Sequence, residues 1–444
     1  MRTYFALVLT CFTFHTQLMA QQSPTAADSL TRLQTSGEWR NYFLYELNQG
    51  APKDFYALAT GGHLKATFQA AKHWQVAVAF YSSQLISGNF DTPDPMTGKP
   101  SRYAIGLMDV NDPRNRHISD IGEAYVRFHT KQWQATYGRM LVKTPFFNPQ
   151  DGRMIPTLAQ GAQLQWKNKT WLLEGYGIQA VWVRNTSGWR TVEESIGLYP
   201  MGRSADGSPL QYAGKINSDY LLIGHLRLNA QGGALQQHLW TYLADRLFQL
   251  YYIEGSYQVN KAWQLQWQAH YQKSTTQGGN IGPDWYYLLP ESYNYSLGGK
   301  ITYYFHPKHQ LGIAWLHLNG NAPFSFPREW GRDPFFTFQR RERSEGLSTT
   351  SALVVNYHAS IGKHWALNTD WGWHQTPRIN DYAANRYGMP TYQHLNTELS
   401  YQNTHWNASL LFTYKSPLTR NISEKEAFGK VNLALLHVIV SYKF

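Results

Sequence analysis

Hydrophobic and polar residues alternate with a period of two along most of the chain. Residues 263–272 are the clearest case, where Trp, Leu, Trp, Ala and Tyr alternate with Gln, Gln, Gln, His and Gln. Successive side chains of a strand point to opposite faces, so one face of this segment suits lipid and the other suits water. The same pattern recurs at residues 64–70 and 406–414, and helical spacing explains none of the three segments. The pattern therefore predicts an all-β protein.

The connections between the predicted strands also follow a pattern, in which short polar turns alternate with long loops rich in Gly, Pro and Asn. Six short turns are directly followed by tryptophan: Trp74, Trp133, Trp171, Trp263, Trp365 and Trp406. Tryptophan favours strands in general. Its occurrence at the same position in six hairpins, however, indicates a shared role in an aromatic girdle at a membrane interface. With these turns as anchors we predict about eighteen strands. The first lies near 38–48 and the last near 428–444, and the long loops lie near 85–117, 141–158, 183–216, 274–293 and 321–349.

The N-terminus has the organisation of a secretory signal peptide. Arg2 supplies positive charge, residues 4–14 are apolar, and cleavage is expected after Ala20. The single cysteine, Cys11, lies in the segment that cleavage removes, so the mature chain has no thiol for a disulfide or a metal site. We therefore predict an exported protein with a signal peptide at residues 1–20, a short periplasmic leader at 21–36 and one transmembrane β-barrel at 37–444.

Composition and the C-terminus point to the outer membrane of a Gram-negative bacterium. Aromatic residues are 15% of the chain although its mean hydropathy is −0.48, and no stretch of about 18 apolar residues follows the signal peptide. A closed barrel is the other structure that satisfies every backbone polar group in a bilayer. The chain ends in Phe444, which is similar to the signal that bacterial outer-membrane proteins present to the barrel-assembly machinery. We therefore expect lipid and lipopolysaccharide to surround the barrel.

The segment at residues 138–156 is the best candidate for a constriction, since a barrel of about eighteen strands leaves an aqueous lumen unless something fills it. Three prolines direct its path, and its Phe and Met side chains are suited to packing against the wall. We expect charged residues of this segment and of the preceding strand to lie near the lumen: Arg139, Lys143, Asp151, Arg153, Arg127 and His129. Because they belong to adjacent strands, we expect Arg127, His129 and Arg139 to cluster. The alternative for each residue is a solvated loop charge that meets no solute.

Several short motifs in this segment carry a family resemblance. Residues 137–139 (Tyr-Gly-Arg), 144–146 (Thr-Pro-Phe) and 151–156 (Asp-Gly-Arg-Met-Ile-Pro) are similar to the corresponding part of the porin D (OprD) family, and residues 332–338 form a second matching patch. The resemblance implies an eighteen-strand, substrate-selective channel with a ladder of basic residues on its wall and inward loops that set the constriction. It also implies small carboxylate-bearing solutes, including amino acids and peptides.

The charge distribution supports a preference for anions only in part. The formal net charge is +11, and the signal peptide accounts for only one of these charges. The strand faces that we assign to the lumen carry six basic and five acidic residues: Lys65, Arg127, Lys167, Arg227, Lys300 and Lys415, against Glu123, Glu174, Glu254, Asp370 and Glu398. Anion selectivity must then come from local clustering. The run Arg340, Arg341 and Arg343 is compatible with a further basic patch near the mouth of the channel, but we favour its interpretation as part of a solvated or lipopolysaccharide-facing loop.

Other functions stay open, among them a transporter for hydrophobic compounds and a structural or adhesive barrel, which the lack of a passenger domain disfavours. A carbohydrate-selective porin needs an aromatic track, and Tyr125, Tyr176 and Tyr304 fall on the predicted inner faces. A barrel hydrolase needs a nucleophile and a base, but the sequence has no Gly-x-Ser-x-Gly or His-Glu-x-x-His motif. We predict no cofactor and no metal site, because the acidic residues at 109–112 fit a turn equally well. The basic charge is too dispersed for nucleic acid, and both a monomer and a trimer are compatible with the sequence.

Overall fold

The computed structural model describes residues 32–150, 153–229, 232–275 and 285–444, which form a closed antiparallel β-barrel. Its sheet has 19 strands, of which one, β8, has only two residues. The other eighteen surround the lumen, which confirms the strand number expected from the turns. The predicted signal peptide and most of the predicted leader lie outside the described residues.

The strand bounds follow the alternation and the turn positions closely. They are β1 Arg32–Asn48, β2 Phe55–Ala71, β3 Trp74–Gly88, β4 His117–His129, β5 Trp133–Met140, β6 Leu158–Lys167, β7 Trp171–Trp182, β8 Arg190–Thr191, β9 Leu221–Leu228, β10 Leu235–Ala244, β11 Phe248–Gln258, β12 Trp263–Ser274, β13 Tyr293–His306, β14 His309–Gly320, β15 Thr350–Ile361, β16 Trp365–Gln375, β17 Tyr392–Gln402, β18 Trp406–Pro417 and β19 Leu433–Lys443. A one-turn 3-10 helix spans Ala104–Leu107, and a short α-helix spans Glu424–Ala427. No helix of the described residues is long and apolar enough to cross a membrane.

The barrel closes between its first and last strands. β1 pairs with β2 on one side and with β19 on the other, where Asn41 lies opposite Val440. The backbone of Phe444 exchanges two hydrogen bonds with Gly37, of 2.9 and 3.2 Å. β8 pairs with the end of β7, and β9 pairs with the rest of that strand. Closure pairs the backbone groups that a sheet edge would leave open to lipid.

Two boundaries differ from the prediction. β1 begins at Arg32, whereas we expected the leader to continue to residue 36. The additional residues are part of the barrel because the long strand β2 offers them partners, up to the pair Arg32–Gln69. β19 begins at Leu433 rather than near 428, because the helix at Glu424–Ala427, with a capping box at its start, is followed by a turn at residues 428–432.

The two faces of the wall meet different surroundings. In β12, the outward-facing Leu265 is 40% exposed, whereas the inward-facing Gln268 is 2% exposed because loops enter the lumen and cover it. The six tryptophans of the predicted girdle are each the first residue of their strand and lie at the short-turn end of the barrel. That they lie at a membrane interface stays a prediction.

Candidate functional site

The loop between β5 and β6, which we call loop A (residues 141–157), turns into the lumen. Phe146 is 1% exposed, and its ring centroid lies 5.5 Å from that of Tyr242 and 5.3 Å from that of Tyr252, both on the inner face of the wall. The backbone N–H of Phe146 also donates to the Tyr242 hydroxyl at 3.3 Å. The expected packing of this loop against the wall is therefore present, and it narrows the lumen from one side.

A second loop, which we call loop C (residues 321–349), packs on loop A inside the barrel. Phe324, Phe326 and Phe335 surround Phe146, with ring centroids 5.3 to 6.1 Å from it. The backbone N–H of Asn148 in loop A donates to the backbone carbonyl of Trp330 in loop C at 3.1 Å. Burial of so many aromatic rings joins the two loops, so they narrow the lumen together.

Arg153 lies near the end of loop A, inside the barrel. Its Nη1 donates to the carbonyl oxygen of Tyr103 at 3.3 Å, and its own carbonyl oxygen accepts from Arg40 on β1 at 2.7 Å. Burial and, next, the charge of Arg341 lower the pKa of the Arg153 guanidinium to about 9. The side chain is therefore a cation at neutral pH, close to other cations. Asp151, which we expected beside it, lies outside the described residues.

The run of arginines in loop C lies inside the lumen, so its interpretation as a solvated or lipopolysaccharide-facing loop is wrong. Arg340 pairs with Glu398 on β17, and Arg341 donates to the Tyr42 hydroxyl on β1. The physical reason is that the aromatic residues of loop C anchor it to loop A and carry the arginines inward. The sequence signal that could have shown this is the matching patch at residues 332–338, which directly precedes the run.

Arginines from three loops form a basic cluster, which we define as Arg153, Arg184, Arg341 and Arg343. Arg184 belongs to the loop between β7 and β9, which we call loop B (residues 183–220). Burial, with the charges of Arg184 and Arg328, lowers the pKa of Arg343 to about 10. Burial also lowers the pKa of Arg184, and Arg328 and Arg341 act in the same direction. The charges of these arginines therefore repel one another, while the carboxylates of Asp333 and Glu345 offset part of the charge of Arg343. The result is a group of closely spaced cations beside loops A and C. Of these four arginines, only Arg153 was among the candidate residues.

The basic residues of the wall are in part neutralised by carboxylates. Lys65 Nζ lies 2.6 Å from a carboxylate oxygen of Glu123, and Lys415 Nζ lies 2.6 Å from one of Glu342 in loop C. Both lysines are on the inner face, as expected from the alternation. The Lys415 pair is buried, however, and cannot meet a solute. The loops therefore supply positive charge that the paired wall lysines do not.

Arg139 does not cluster with Arg127 and His129, which corrects our expectation. Tyr137 is 70% exposed on the outer face of β5, and the alternation puts Arg139 on the same face. Arg127 lies on the inner face of β4, and His129 is the last residue of that strand, at the end opposite to loop A. The contact of Arg127, His129 and the exposed Lys143 with a solute stays a prediction.

Arg139 instead bridges the wall where loop A leaves it. β5 pairs with β4 only as far as the pair Ala124–Arg139. Beyond that point, Arg139 Nη1 donates to the backbone carbonyl of Ile121 at 3.2 Å, and its guanidinium lies 4.7 Å from the ring centre of Trp189 in loop B. The Trp189 indole donates to the same carbonyl at 3.3 Å. These contacts cover the end of a short strand rather than line a solute path.

A closed barrel whose lumen is narrowed by inward loops has the architecture of a transmembrane channel. The family model for the outer membrane porins of the OprD family matches residues 104–344, which is more than half of the chain. The chain therefore belongs to the OprD family of outer membrane porins, which places it in the Gram-negative outer membrane. No curated protein matches the chain.

Solved structures share the barrel at low sequence identity. OccK9 (OpdG) of Pseudomonas aeruginosa has a TM-score of 0.69 at 13% identity, covering 93% of this chain and 98% of its own. OpdK of Pseudomonas aeruginosa, solved with vanillate, has the same values. OccAB4 of Acinetobacter baumannii has a TM-score of 0.70 at 11% identity, covering 94% and 99%. At these identities the likeness shows the fold alone.

Proposed function

We propose that this porin is a narrow aqueous channel for small polar solutes and that it favours solutes with a carboxylate, such as amino acids or small peptides. The basic cluster beside loops A and C is the observation that carries the proposal. A guanidinium group can bind a carboxylate through two parallel hydrogen bonds, which a neutral solute cannot form equally well. Concentrated positive charge between low-dielectric walls also raises the local concentration of anions.

The surroundings of the inward-facing tyrosines support a preference for carboxylates over carbohydrates. The ring of Tyr125 has Lys65 Nζ 5.1 Å from its centre and the Arg127 guanidinium at 4.7 Å, so cations cover it. The Tyr176 hydroxyl accepts from Gln163 at 3.2 Å, and the ring is buried. A track for sugars needs bare aromatic faces. OpdK was solved with vanillate, which is a small carboxylate, and this agrees with the proposed preference.

We also propose how the chain is exported and assembled. Residues 1–20 direct export and are then removed. Phe444, whose side chain is 46% exposed beside the closing pair of strands, is the residue that the barrel-assembly machinery recognises. Lipid and lipopolysaccharide contact the apolar outer face.

The test is single-channel recording of the purified protein in a planar bilayer with a potassium chloride gradient. We expect discrete openings, a reversal potential that favours anions, and a lower conductance when glutamate replaces part of the chloride. Glucose at the same osmolarity is the matched control. Openings without anion preference and without an effect of glutamate contradict the carboxylate preference, and silence from folded protein contradicts the channel.

A further inference from the structure

A row of titratable side chains crosses neighbouring strands of the lumen wall, apart from the basic cluster. Glu174 on β7 lies 2.7 Å from Nδ1 of His225 on β9, and Nε2 of His225 lies 3.0 Å from Nδ1 of His238 on β10. Glu254 on β11 lies opposite His238 in the strand register. Within the described residues, no group of three or more His, Cys, Asp or Glu is arranged to hold a metal ion. Imidazole and carboxylate groups in hydrogen-bond contact can take up and release protons, so the row is a site for protons.

The hydrogen bonds determine how the row takes up protons. With both imidazoles neutral, His225 donates Nδ1–H to Glu174 and accepts at Nε2 from the Nδ1–H of His238. Nε2 of the partly buried His238 is then the acceptor that is left for a proton. A first proton on Nε2 makes His238 a cation, and its charge offsets that of the Glu174 carboxylate. A second proton requires the bond between the two imidazoles to break, because both facing nitrogens would then be donors.

The surroundings give the row an excess of negative charge until protons bind. The charged and titratable groups that face it from the neighbouring strands are Arg227, Glu254, Tyr176 and Tyr252. With neutral imidazoles, the carboxylates of Glu174 and Glu254 therefore outnumber the single guanidinium. Trp240 stacks on His225 with 3.6 Å between ring centroids, and an indole face attracts a cation, so it stabilises a protonated His225.

The row lies on the wall between loop A and the short-turn end of the barrel. Tyr242 follows His238 on β10 in the direction of the long loops, and Tyr242 contacts Phe146 of loop A. A solute that has passed loop A therefore passes this row. We propose that Glu174, His225 and His238 form a second charge-selecting site of the lumen, which favours cations while the imidazoles are neutral and loses this preference when they take up protons.

The experiment measures the reversal potential of the channel in a potassium chloride gradient between about pH 8 and about pH 3.5, a range that extends well below the ordinary pKa of an imidazole. In the wild type, we expect the anion-to-cation permeability ratio to rise about twofold on acidification, since negative charge disappears from the lumen. In the double variant His225→Gln with His238→Gln, the side chains keep hydrogen-bonding groups but take up no proton. We expect its rise to be less than half that of the wild type.

Two single variants sharpen the test. His358→Gln is the matched control, because this imidazole also faces the lumen but contacts Asn368, at 2.7 Å, rather than a carboxylate, and we expect the full response. Glu174→Gln is expected to raise the anion ratio already at about pH 8. If the double variant does not fold, the Glu174→Gln variant still tests the proposal.

A wild type without a response, a double variant with the full response, or a Glu174→Gln variant without an effect would overturn the proposal. The inference rests on the proposed channel but not on its preference for carboxylates. A conducting channel without the pH response contradicts the inference alone, whereas silence from folded protein contradicts the proposed function.

Discussion

The ammonium group of Lys415, on β18, lies 2.6 Å from the carboxylate of Glu342 in loop C and donates to the carbonyl oxygen of Arg341 at 2.7 Å. The pair is buried, so water does not screen it. It ties loop C to the wall directly beside a member of the basic cluster. A lysine of the inner wall face therefore holds the loop arginines in place and does not itself meet solutes.

Lys415→Met is expected to release loop C, because it leaves Glu342 as an unpaired buried charge, a loss that typically costs about 3–5 kcal/mol. Limited proteolysis within residues 321–349 measures the release, and heat-modifiable migration on gels confirms that the barrel is folded. The matched control is Arg116→Met, which breaks the exposed pair with Asp91. We expect this control variant to lose less than about 1 kcal/mol of the free energy of unfolding. Equal protease resistance of both variants contradicts the role of Lys415.

Acid is expected to release loop C through Glu342. Burial alone would raise the pKa of this carboxyl, but the charge of Lys415 outweighs burial, and the pKa is lowered from 4.5 to about 2. A lowered pKa stabilises the folded loop above pH 4.5, and the stabilisation is lost as the pH falls toward 2. Pepsin cleavage of loop C, corrected for its rate on an unfolded substrate, should accelerate across this range. Glu342→Gln cannot titrate, and the same acceleration in that variant contradicts the assignment.

Removal of charge from the basic cluster is expected to reduce anion preference. Arg153→Gln combined with Arg341→Gln should lower the anion-to-cation permeability ratio about threefold, because two cations leave the lumen beside loops A and C. Reversal potentials at neutral pH measure the ratio. Arg139→Gln is the control, since it removes the same charge from the outer face and should leave the ratio unchanged. A comparable fall in the control means that Arg139 reaches the lumen after all.

Phe146→Ala is expected to loosen loop A and increase the single-channel conductance. The ring contacts residues of both the wall and loop C, and loss of a buried phenylalanine side chain typically costs about 3–5 kcal/mol. Conductance and open-channel noise are the measurements. Tyr137→Ala, which removes an aromatic ring from the outer face, should change neither. An unchanged conductance in Phe146→Ala is incompatible with loop A as the constriction.

The positions of the strands could be predicted from the sequence because each strand has one face in lipid and one in the lumen. The alternation at Trp263 and Leu265, and the tryptophans after the short turns, reflect this local requirement. The outer position of Arg139 was also present in the sequence, since it has the same parity as Trp133 and Tyr137 on β5. Our interpretation gave more weight to the neighbouring loop than to the alternation.

The sequence by itself determined the class of protein, the number of strands and the place of the long loops, because these follow from alternation and turns between neighbouring residues. Only the tertiary structure decided which charges meet the lumen. Arg341 faces inward because loop C packs on Phe146, and Lys415 is withdrawn from the lumen because Glu342 reaches it from loop C. Both depend on contacts between residues far apart in the chain, which no local pattern encodes.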